Sequence, residues 1–457
     1  MKNFTHLIDV VGQLPQLKTY SHLLLAFPLQ DDQVSRNEAI QNLQSAALKL
    51  TEAFPWLAAQ VVNRGSGPGN SGTFQLEPCA LWSSPNTILR VRDCSSQCPA
   101  YDSLVKARGP ATMLDGDILA PRTAFPESYQ ETEADPAPVL AFQANLIQGG
   151  LLLDCAAQHN FIDMSGIEQC YNLLAAAMNG QPFSQDTIAQ GNMDRRNLVP
   201  LLPPDEPMKD HSQFRRPPPS DLPGLPLEPE SPFMWRYYRF TSAILTELKA
   251  LALGSGSLDP AASRVSTNDV LTAFCWQRVI STRFQRRQTP RATTKILRAV
   301  DARKTMGVPR GYMGDLVTIA TSRLAFQELE DVSLPTIAGL LREDLNAVNT
   351  RDYVRSFATH IAKTPDKSTI VYGGKFTPDT DIGSSSWASI QLYRVRFGAL
   401  GKPALVRRPT FGPLRSDIYF MPQTESGDID AALCFNEEDM KGLKGDVKWN
   451  AYADYIG

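Results

Sequence analysis

The chain has 457 residues, of which 42% are hydrophobic and 9% aromatic, so it can bury a large core. Because single cores stop growing at roughly 250–300 residues, this length predicts two domains. The formal net charge of −3 and the pI near 6.0 give no reason to expect nucleic acid or an anionic membrane as the main partner. Any basic binding site must therefore be local.

Seven cysteines are scattered along the chain without the C-x-x-C spacing of zinc or redox sites. Reduced thiols in a cytosol are the simplest interpretation. No apolar run is long enough and continuous enough to cross a bilayer. We therefore expect a soluble, cytoplasmic protein that needs no metal, and we expect it to be a monomer.

Glycines mark two turns in the first half of the chain. The stretch GSGPGNSG at residues 65–72 lies between apolar segments and predicts a loop that joins two strands. A phosphate-binding loop is disfavoured there, because neither a helix pattern nor a Lys-Ser/Thr pair follows. Further on, Gly149 and Gly150 separate two runs of strand character, which predicts a two-residue hairpin turn.

A helix is predicted shortly after this hairpin. Apolar residues recur at intervals of three and four over residues 167–178, and Gly180 stands where a helix C-cap is expected. Ser165 and Glu168 form the S-x-x-E pattern of a capping box, so we expect the helix to start after Asp163.

Residues 200–232 form a segment too rich in proline to hold a helix or a central strand. Such a segment is an extended connector that can cross the face of the molecule. It predicts two domains, at residues 1–199 and 233–457.

His159 lies where the predicted strand gives way to the loop before the helix. An unperturbed imidazole titrates near pH 6.5, so its neutral form can take a proton from a hydroxyl group. A histidine satisfied by a backbone carbonyl is the structural alternative. A metal site is disfavoured because the other histidines are isolated, namely His6, His22, His211 and His360. Serine nucleophiles find no support either, since no G-x-S-x-G motif occurs.

Five segments, in order, resemble the acyl-CoA-dependent acyltransferases known as the BAHD family. HNFID, followed by Gly166, resembles the family's H-x-x-x-D-G signature. Its companions resemble the Y-P-x-A-G-R stretch, the S-T-x-D-x-L-x-A helix, the V-N-x-R segment with its Y-F-G-N close, and the S-W to D-F-G-W-G-K-P segment. These companions lie at residues 54–61, 265–276, 299–315 and 385–403.

Within that family the chain is most similar to fungal trichothecene 3-O-acetyltransferases, which share GQLPQL, LAPR, GKP-x-x-VRRP and the ending YADYIG. The resemblance implies an α/β fold of two chloramphenicol-acetyltransferase-like domains, each with a mixed sheet and flanking helices, joined by the proline-rich crossover. It also implies a channel between the domains, with acetyl-CoA as co-substrate. The acceptor would be a small-molecule alcohol, a hydrophobic fungal-type metabolite such as a terpenoid or alkaloid.

The same resemblance assigns roles to the residues of the motif. His159 would act as the general base, and Asp163 would brace the loop through an arginine partner. Arg303 is the first candidate for that partner and Arg298 the second.

For the oxyanion, the resemblance makes Ser385, Ser386 and the indole N–H of Trp387 possible donors. The alternative for Trp387 is simple packing at the domain junction.

CoA carries phosphates, so the resemblance also requires local positive charge. Candidates from the family motif are Arg396, Lys402, Arg407 and Arg408. The basic stretch at residues 278–298 is the alternative, although it is more typical of a solvated helix face.

Three positions depart from the family pattern. Arg396 stands where the family has Asp, Asp315 replaces Asn in Y-F-G-N, and Thr305 stands where a second arginine often appears. We expect Arg396 to meet another carboxylate or a CoA phosphate. The altered motif leaves open a non-catalytic or cyclase-like protein that binds a natural product in the same cleft. Amide formation on carrier-bound substrates is disfavoured, because no carrier domain is present.

Overall fold

The computed structural model describes residues 4–82, 86–125, 132, 135–218, 231–253, 265–287 and 291–457. Its strands are β1 (Tyr20–Pro28), β2 (Ala59–Arg64), β3 (Thr73–Pro78), β4 (Leu89–Asp93), β5 (Leu140–Ile147), β6 (Gly150–Gln158), β7 (Phe233–Phe240), β8 (Thr293–Asp301), β9 (Val317–Ala325), β10 (Ile382–Ser386), β11 (Leu405–Arg407), β12 (Asp417–Phe420), β13 (Ile429–Asn436) and β14 (Asp454–Tyr455). Its α-helices are α1 (Gln33–Ala53), α2 (Tyr101–Lys106), α3 (Gly116–Leu119), α4 (Met164–Met178), α5 (Gln185–Gly191), α6 (Ser242–Leu253), α7 (Thr267–Arg287), α8 (Arg303–Met306), α9 (Phe326–Asp331), α10 (Leu334–Val348), α11 (Arg351–Lys363), α12 (Glu437–Gly445) and α13 (Val447–Tyr452).

The first sheet has five strands in the order β11-β1-β6-β5-β4. β1, β6 and β5 are antiparallel neighbours, and β4 runs parallel to β5. Every residue of β5 and β6 is buried because both faces of the sheet are covered. On β1, Leu23 and Leu25 pack into the same cluster as residues of α1 and α4, while Leu24 and Ala26 face the opposite cluster. This alternation is the period of two expected for a strand.

One strand of this sheet comes from the second half of the chain. β11 pairs antiparallel with β1, so that Leu24 lies opposite Arg407. The first sheet therefore takes strands from both predicted domains, whose bounds at residues 1–199 and 233–457 stay a prediction. The proline-rich segment still marks the passage from one sheet to the other along the chain.

The second sheet has seven strands in the order β14-β7-β13-β12-β10-β8-β9. β10 runs parallel to both β12 and β8, and the remaining pairs are antiparallel. Its core includes residues of α6, α7 and α10. Two mixed sheets with flanking helices confirm the predicted α/β class.

Local predictions are confirmed in part. The glycine-rich loop joins β2 to β3, as expected. β5 and β6 form the predicted hairpin, but Gly150 already belongs to β6, so the turn lies one residue earlier with Gly149 at a φ of 73°.

Of the proline-rich connector, residues 219–230 lie outside the described part. The preceding segment is bound to α11, since Arg355 donates to the carbonyls of Pro200 and Leu201. Within the described ranges, none of the helices combines the length and apolarity required to span a membrane.

Candidate active site

His159 follows β6 directly and lies in the wall of a cavity of about 400 Å³ that residues of both sheets line. Its backbone N–H donates to the carbonyl of Thr19 at 2.9 Å, which ties the loop to the start of β1. The next residue, Asn160, is buried and donates through Nδ2 to the carbonyls of Gly12 and Leu14 at 2.5 and 3.2 Å. The loop is therefore fixed by bonds to two separate segments.

The helix after this loop starts as predicted, but through a different cap. Asp163 is the N-cap of α4, and its carboxylate accepts from a first-turn N–H at 3.0 Å. The predicted capping box is wrong. Ser165 donates to Asp301 at 2.9 Å, and Glu168 accepts from the amide of Gln391 at 2.7 Å. Asp163 is the better cap because its charge also interacts favourably with the helix dipole.

Asp163 and Arg303 form a buried two-point ion pair. The guanidinium donates to both carboxylate oxygens, at 2.7 and 2.8 Å, and the Leu316 amide donates to the same carboxylate at 3.1 Å. Burial alone would raise the pKa of Asp163, but the charge of Arg303 holds it below its ordinary value. With its oxygens committed to these bonds, Asp163 is an ionised anchor that braces the loop.

Arg298, the second candidate partner of Asp163, is placed elsewhere. Its guanidinium pairs with Asp269 at 2.9 Å and donates to the carbonyl of Leu341 at 3.1 Å. The neighbouring strand residues Leu297 and Ala299 line the cavity. Arg298 points to the other face of β8 because adjacent strand residues alternate.

The carboxylate that lies beside the imidazole of His159 is that of Asp315. Its Oδ2 lies 3.6 Å from Nδ1 of His159, and both atoms are buried without a hydrogen-bond partner among the described residues. Burial alone would lower the pKa of His159, but the carboxylate of Asp315 raises it above the ordinary value. Burial in turn raises the pKa of Asp315. The sequence offered one signal for this residue, namely an acid at a motif position where the family has asparagine.

The other nitrogen of His159 faces open space. Nδ1 is directed to Asp315, and 26% of the side chain remains exposed in a cavity whose apolar wall contains Leu17, Phe125, Leu297, Val317, Tyr372 and Phe376. Nε2 can therefore meet a substrate. Burial and a nearby carboxylate are the usual means by which the pKa of a catalytic base is adjusted, so this arrangement is suited to proton transfer.

The three oxyanion candidates lie at the end of β10. Ser385 and Trp387 line the cavity, whereas Ser386 lies outside its lining. The indole N–H of Trp387 is not a free donor, because it donates to Oγ of Ser385 at 3.0 Å. Trp387 also stacks on Tyr419, with ring centroids 4.6 Å apart. Ser385 accepts from the indole, so its own O–H is the donor that remains for a substrate oxygen.

The adjacent arginines Arg407 and Arg408 have opposite environments. Arg407, predicted to bind CoA phosphate, is fully buried, pairs with Asp430 at 2.7 Å and donates to the carbonyls of Arg108, Gly109 and Val406. That prediction is wrong, because the guanidinium is enclosed by the protein's own acceptors. Arg408 lines the cavity of His159.

Arg396 and Lys402, the remaining candidates for CoA phosphate, lie outside this cavity. Lys402 is half exposed and pairs with Glu425 at 2.6 Å. Arg396 is exposed and has no ion pair with any described carboxylate. Of the two roles predicted for Arg396, contact with a CoA phosphate stays a prediction.

His22 was regarded as isolated in the sequence, but it lies in the wall of the same cavity. Its Nδ1 is 2.9 Å from Oδ2 of Asp154, and both side chains are fully buried. The two residues come from the paired strands β1 and β6, 132 positions apart in the chain. No local sequence pattern connects them.

Comparisons with known proteins agree on one kind of chemistry. Residues 19–178 match the model of the trichothecene 3-O-acetyltransferase-like N-terminal domain, and residues 120–449 match that of the Transferase family. The O-acyltransferase pigD of Monascus ruber is 49% identical over 98% of both chains. The O-acetyltransferase epaC of Aspergillus niger is 44% identical over 98% of this chain and 96% of its own. The crystal structure of F. graminearum TRI101 complexed with coenzyme A and T-2 mycotoxin matches with a TM-score of 0.90 and 33% identity, covering 98% of this chain and 99% of that one.

Proposed function

The chain belongs to the Transferase family, with a trichothecene 3-O-acetyltransferase-like N-terminal domain, and is of the acyl-CoA-dependent BAHD type; from this premise we propose how its cavity works. The protein transfers an acetyl group from acetyl-CoA to a hydroxyl of a hydrophobic fungal-type secondary metabolite. The observation that carries the proposal is the placement of His159, with Nδ1 facing a buried carboxylate and Nε2 facing a cavity shared by both halves.

His159 supplies the proton transfers. As the acceptor oxygen attacks the thioester carbonyl, Nε2 takes the hydroxyl proton, so the acceptor attacks as an alkoxide-like nucleophile. A new C–O bond forms and the C–S bond breaks. The imidazolium then returns its proton to the departing thiolate, which leaves as free CoA, and His159 is neutral again.

Asp315 stabilises the charged form of His159 during this cycle. The imidazole gains a positive charge when it takes the proton, and the carboxylate at 3.6 Å favours that state. Hydrogen bonds at catalytic centres are often long before substrate binds and shorten in the reacting complex. Ser385 is the donor placed to stabilise the negative charge that develops on the carbonyl oxygen.

The proposed function is tested by measuring free CoA thiol released from acetyl-CoA with a panel of sesquiterpenoid and alkaloid alcohols. The panel includes T-2 mycotoxin, which is bound in the matching crystal structure. Loss of the general base in His159→Ala should lower the rate by roughly 10²–10⁴-fold.

His360→Ala is the matched control, since His360 lies on α11 outside the cavity, and we expect it to keep the native rate. An unchanged rate in His159→Ala would contradict the assignment of the base. Binding of an alcohol without thiol release above background would instead support the alternative of a non-catalytic binding protein.

A further inference from the structure

Arg408 is a buried cation in the wall of the His159 cavity. It is 5% exposed, and its guanidinium packs over four aromatic rings at 5.0 to 5.6 Å from their centroids, those of Trp235, Phe411, Tyr419 and Phe125. Rings stabilise a cation through their faces, but they accept no conventional hydrogen bond. The planar donors of this arginine therefore need acceptors from another source.

The protein supplies few of those acceptors. A guanidinium carries five N–H donors. For Arg408 the described residues provide one long bond, from Nη1 to the carbonyl of Pro409 at 3.4 Å, and no ion pair. Its neighbour Arg407 makes several shorter bonds. Because a buried charge is costly unless it is hydrogen-bonded, the open donors of Arg408 mark a place for a ligand oxygen.

A second unsatisfied polar group lies beside it. The ring of His22 is 4.5 Å from that of Phe411, on which Arg408 also packs. Asp154 holds Nδ1 of this histidine, and Nε2 is buried without a partner among the described residues. This part of the wall is therefore polar, although rings surround it.

The carboxylate of Asp417 favours a neutral oxygen over an anion as the partner of Arg408. Burial raises the pKa of Asp154, and it raises that of Asp417 to about 6; Arg408 acts against the rise in both. At neutral pH the ionised Asp417 therefore offsets the charge of Arg408. A carboxylate ligand would meet this negative charge, whereas a carbonyl oxygen can accept from the guanidinium without that repulsion.

The rings also favour a flat ligand. Trp387 stacks on Tyr419 at 4.6 Å with 23° between the planes, and Tyr419 stacks on Trp235 at 5.5 Å with 10°. Trp387 and Tyr419 line the cavity together with Phe125, Tyr372 and Phe376, so much of its wall is aromatic. A conjugated, planar system that bears a carbonyl fits beside them.

We propose that Arg408 binds a carbonyl oxygen of the acceptor, so that the preferred acceptors are polycyclic alcohols with a conjugated carbonyl group. The inference rests on the proposed function, whose acceptor it specifies. It also reassigns Arg408, which the sequence placed among the CoA contacts.

The test measures KM separately for the acceptor and for acetyl-CoA. Its probes are the best acceptor of the panel and the same alcohol without its carbonyl. In the native enzyme, loss of the carbonyl should raise the acceptor KM about 10- to 100-fold, the range of a hydrogen bond to a charged group. Arg408→Met should raise the KM of the carbonyl-bearing acceptor by a similar factor. Its KM values for the two alcohols should therefore be nearly equal, and its KM for acetyl-CoA should stay at the native value.

Arg394→Met is the control, because it removes an exposed arginine outside the cavity and should leave both KM values and the discrimination unchanged. A rise in the KM for acetyl-CoA alone in Arg408→Met would return this arginine to the CoA site and overturn the inference. Equal KM values of the native enzyme for the two alcohols, or a best acceptor without any carbonyl, would overturn it as well.

Two further comparisons separate the possible failures. If thiol release does not depend on His159, the proposed function fails and the inference falls with it. If release depends on His159 but the carbonyl makes no difference, only the inference fails. If Arg408→Met does not fold, as judged by tryptophan fluorescence, the KM values of the native enzyme for the two alcohols still test the inference. Arg408→Lys then shows whether a positive charge without the planar guanidinium is enough to bind the carbonyl.

Discussion

Replacing Asp315 by asparagine would remove the charge next to His159 while keeping the size of the side chain. Two unit charges about 4 Å apart interact by about 4 kcal/mol at an effective dielectric constant of about 20. The separation here is 3.6 Å, and the histidine side chain is 26% exposed, so solvent screens part of that energy. We expect about 1.4 kcal/mol to remain, which corresponds to about one pKa unit.

The direction of the shift follows from the role of His159 as a base. In the native protein Asp315 raises the pKa of His159, and the neutral base is lost as the pH falls through that value. Without the carboxylate the pKa drops, so the acid limb of kcat/KM should move about one unit to lower pH. On the plateau above both values, the rate should fall about tenfold, because the imidazolium formed in the transition state loses its stabilising charge.

The assay is thiol release from acetyl-CoA, with kcat/KM measured from about pH 5 to about pH 9 to bracket an imidazole. Asp301→Asn is the matched control. It removes the same charge from an aspartate that contacts Arg303 and Ser165, and it should leave the acid limb in place. An Asp315→Asn limb that coincides with the native one, or moves to higher pH, would refute the reasoning.

Three further substitutions test the frame around the site. Asp163→Asn removes the two-point ionised partner of the buried Arg303, which keeps only its contact with the more exposed Asp301, and should cost about 3–5 kcal/mol in urea unfolding. Since the folded-state pKa of Asp163 is lowered, its contribution is present above the ordinary aspartate pKa and is lost as the pH falls through the folded value, so the two proteins should converge in acid. Gly166→Ala would place a Cβ 2.2 Å from the carbonyl oxygen of Met313, and we expect about 1–3 kcal/mol of destabilisation in the same titration; native stability would contradict this close approach. Arg407→Met should lower the unfolding free energy by about 3–5 kcal/mol with the KM for acetyl-CoA unchanged, and a raised KM would restore its predicted CoA role.

Patterns confined to a short stretch of chain were the most predictable part of the fold. The hairpin before His159 and the helix after Asp163 follow from residues that are neighbours in the sequence. Errors at this level were small. The turn lies one residue early, and Asp163 caps the helix in place of the predicted Ser165 and Glu168, because several polar residues near a helix start can each serve as a cap.

Contacts between segments that are distant in the sequence were harder to predict. The arginine that meets Asp163 is 140 residues away and was proposed only through a resemblance, which kept Arg298 as a second candidate until β8 showed which face each side chain occupies. The prediction that Arg407 contacts a CoA phosphate was wrong for the same reason, because its partners are distant in the sequence. Composition shows the charge, but the acceptors around the guanidinium decide whether the charge is used inside the protein, as for Arg407, or left for a ligand, as proposed for Arg408.

The position of β11 beside β1 has a consequence for how this protein can be made. During synthesis, β1 leaves the ribosome long before its partner at residues 405–407. Until then one edge of the first sheet has unpaired backbone groups, which are a template for association with other chains. A fragment that stops at the proline-rich connector would keep that edge open permanently. We expect such a fragment to aggregate, and the two halves to yield soluble protein only when they are produced together.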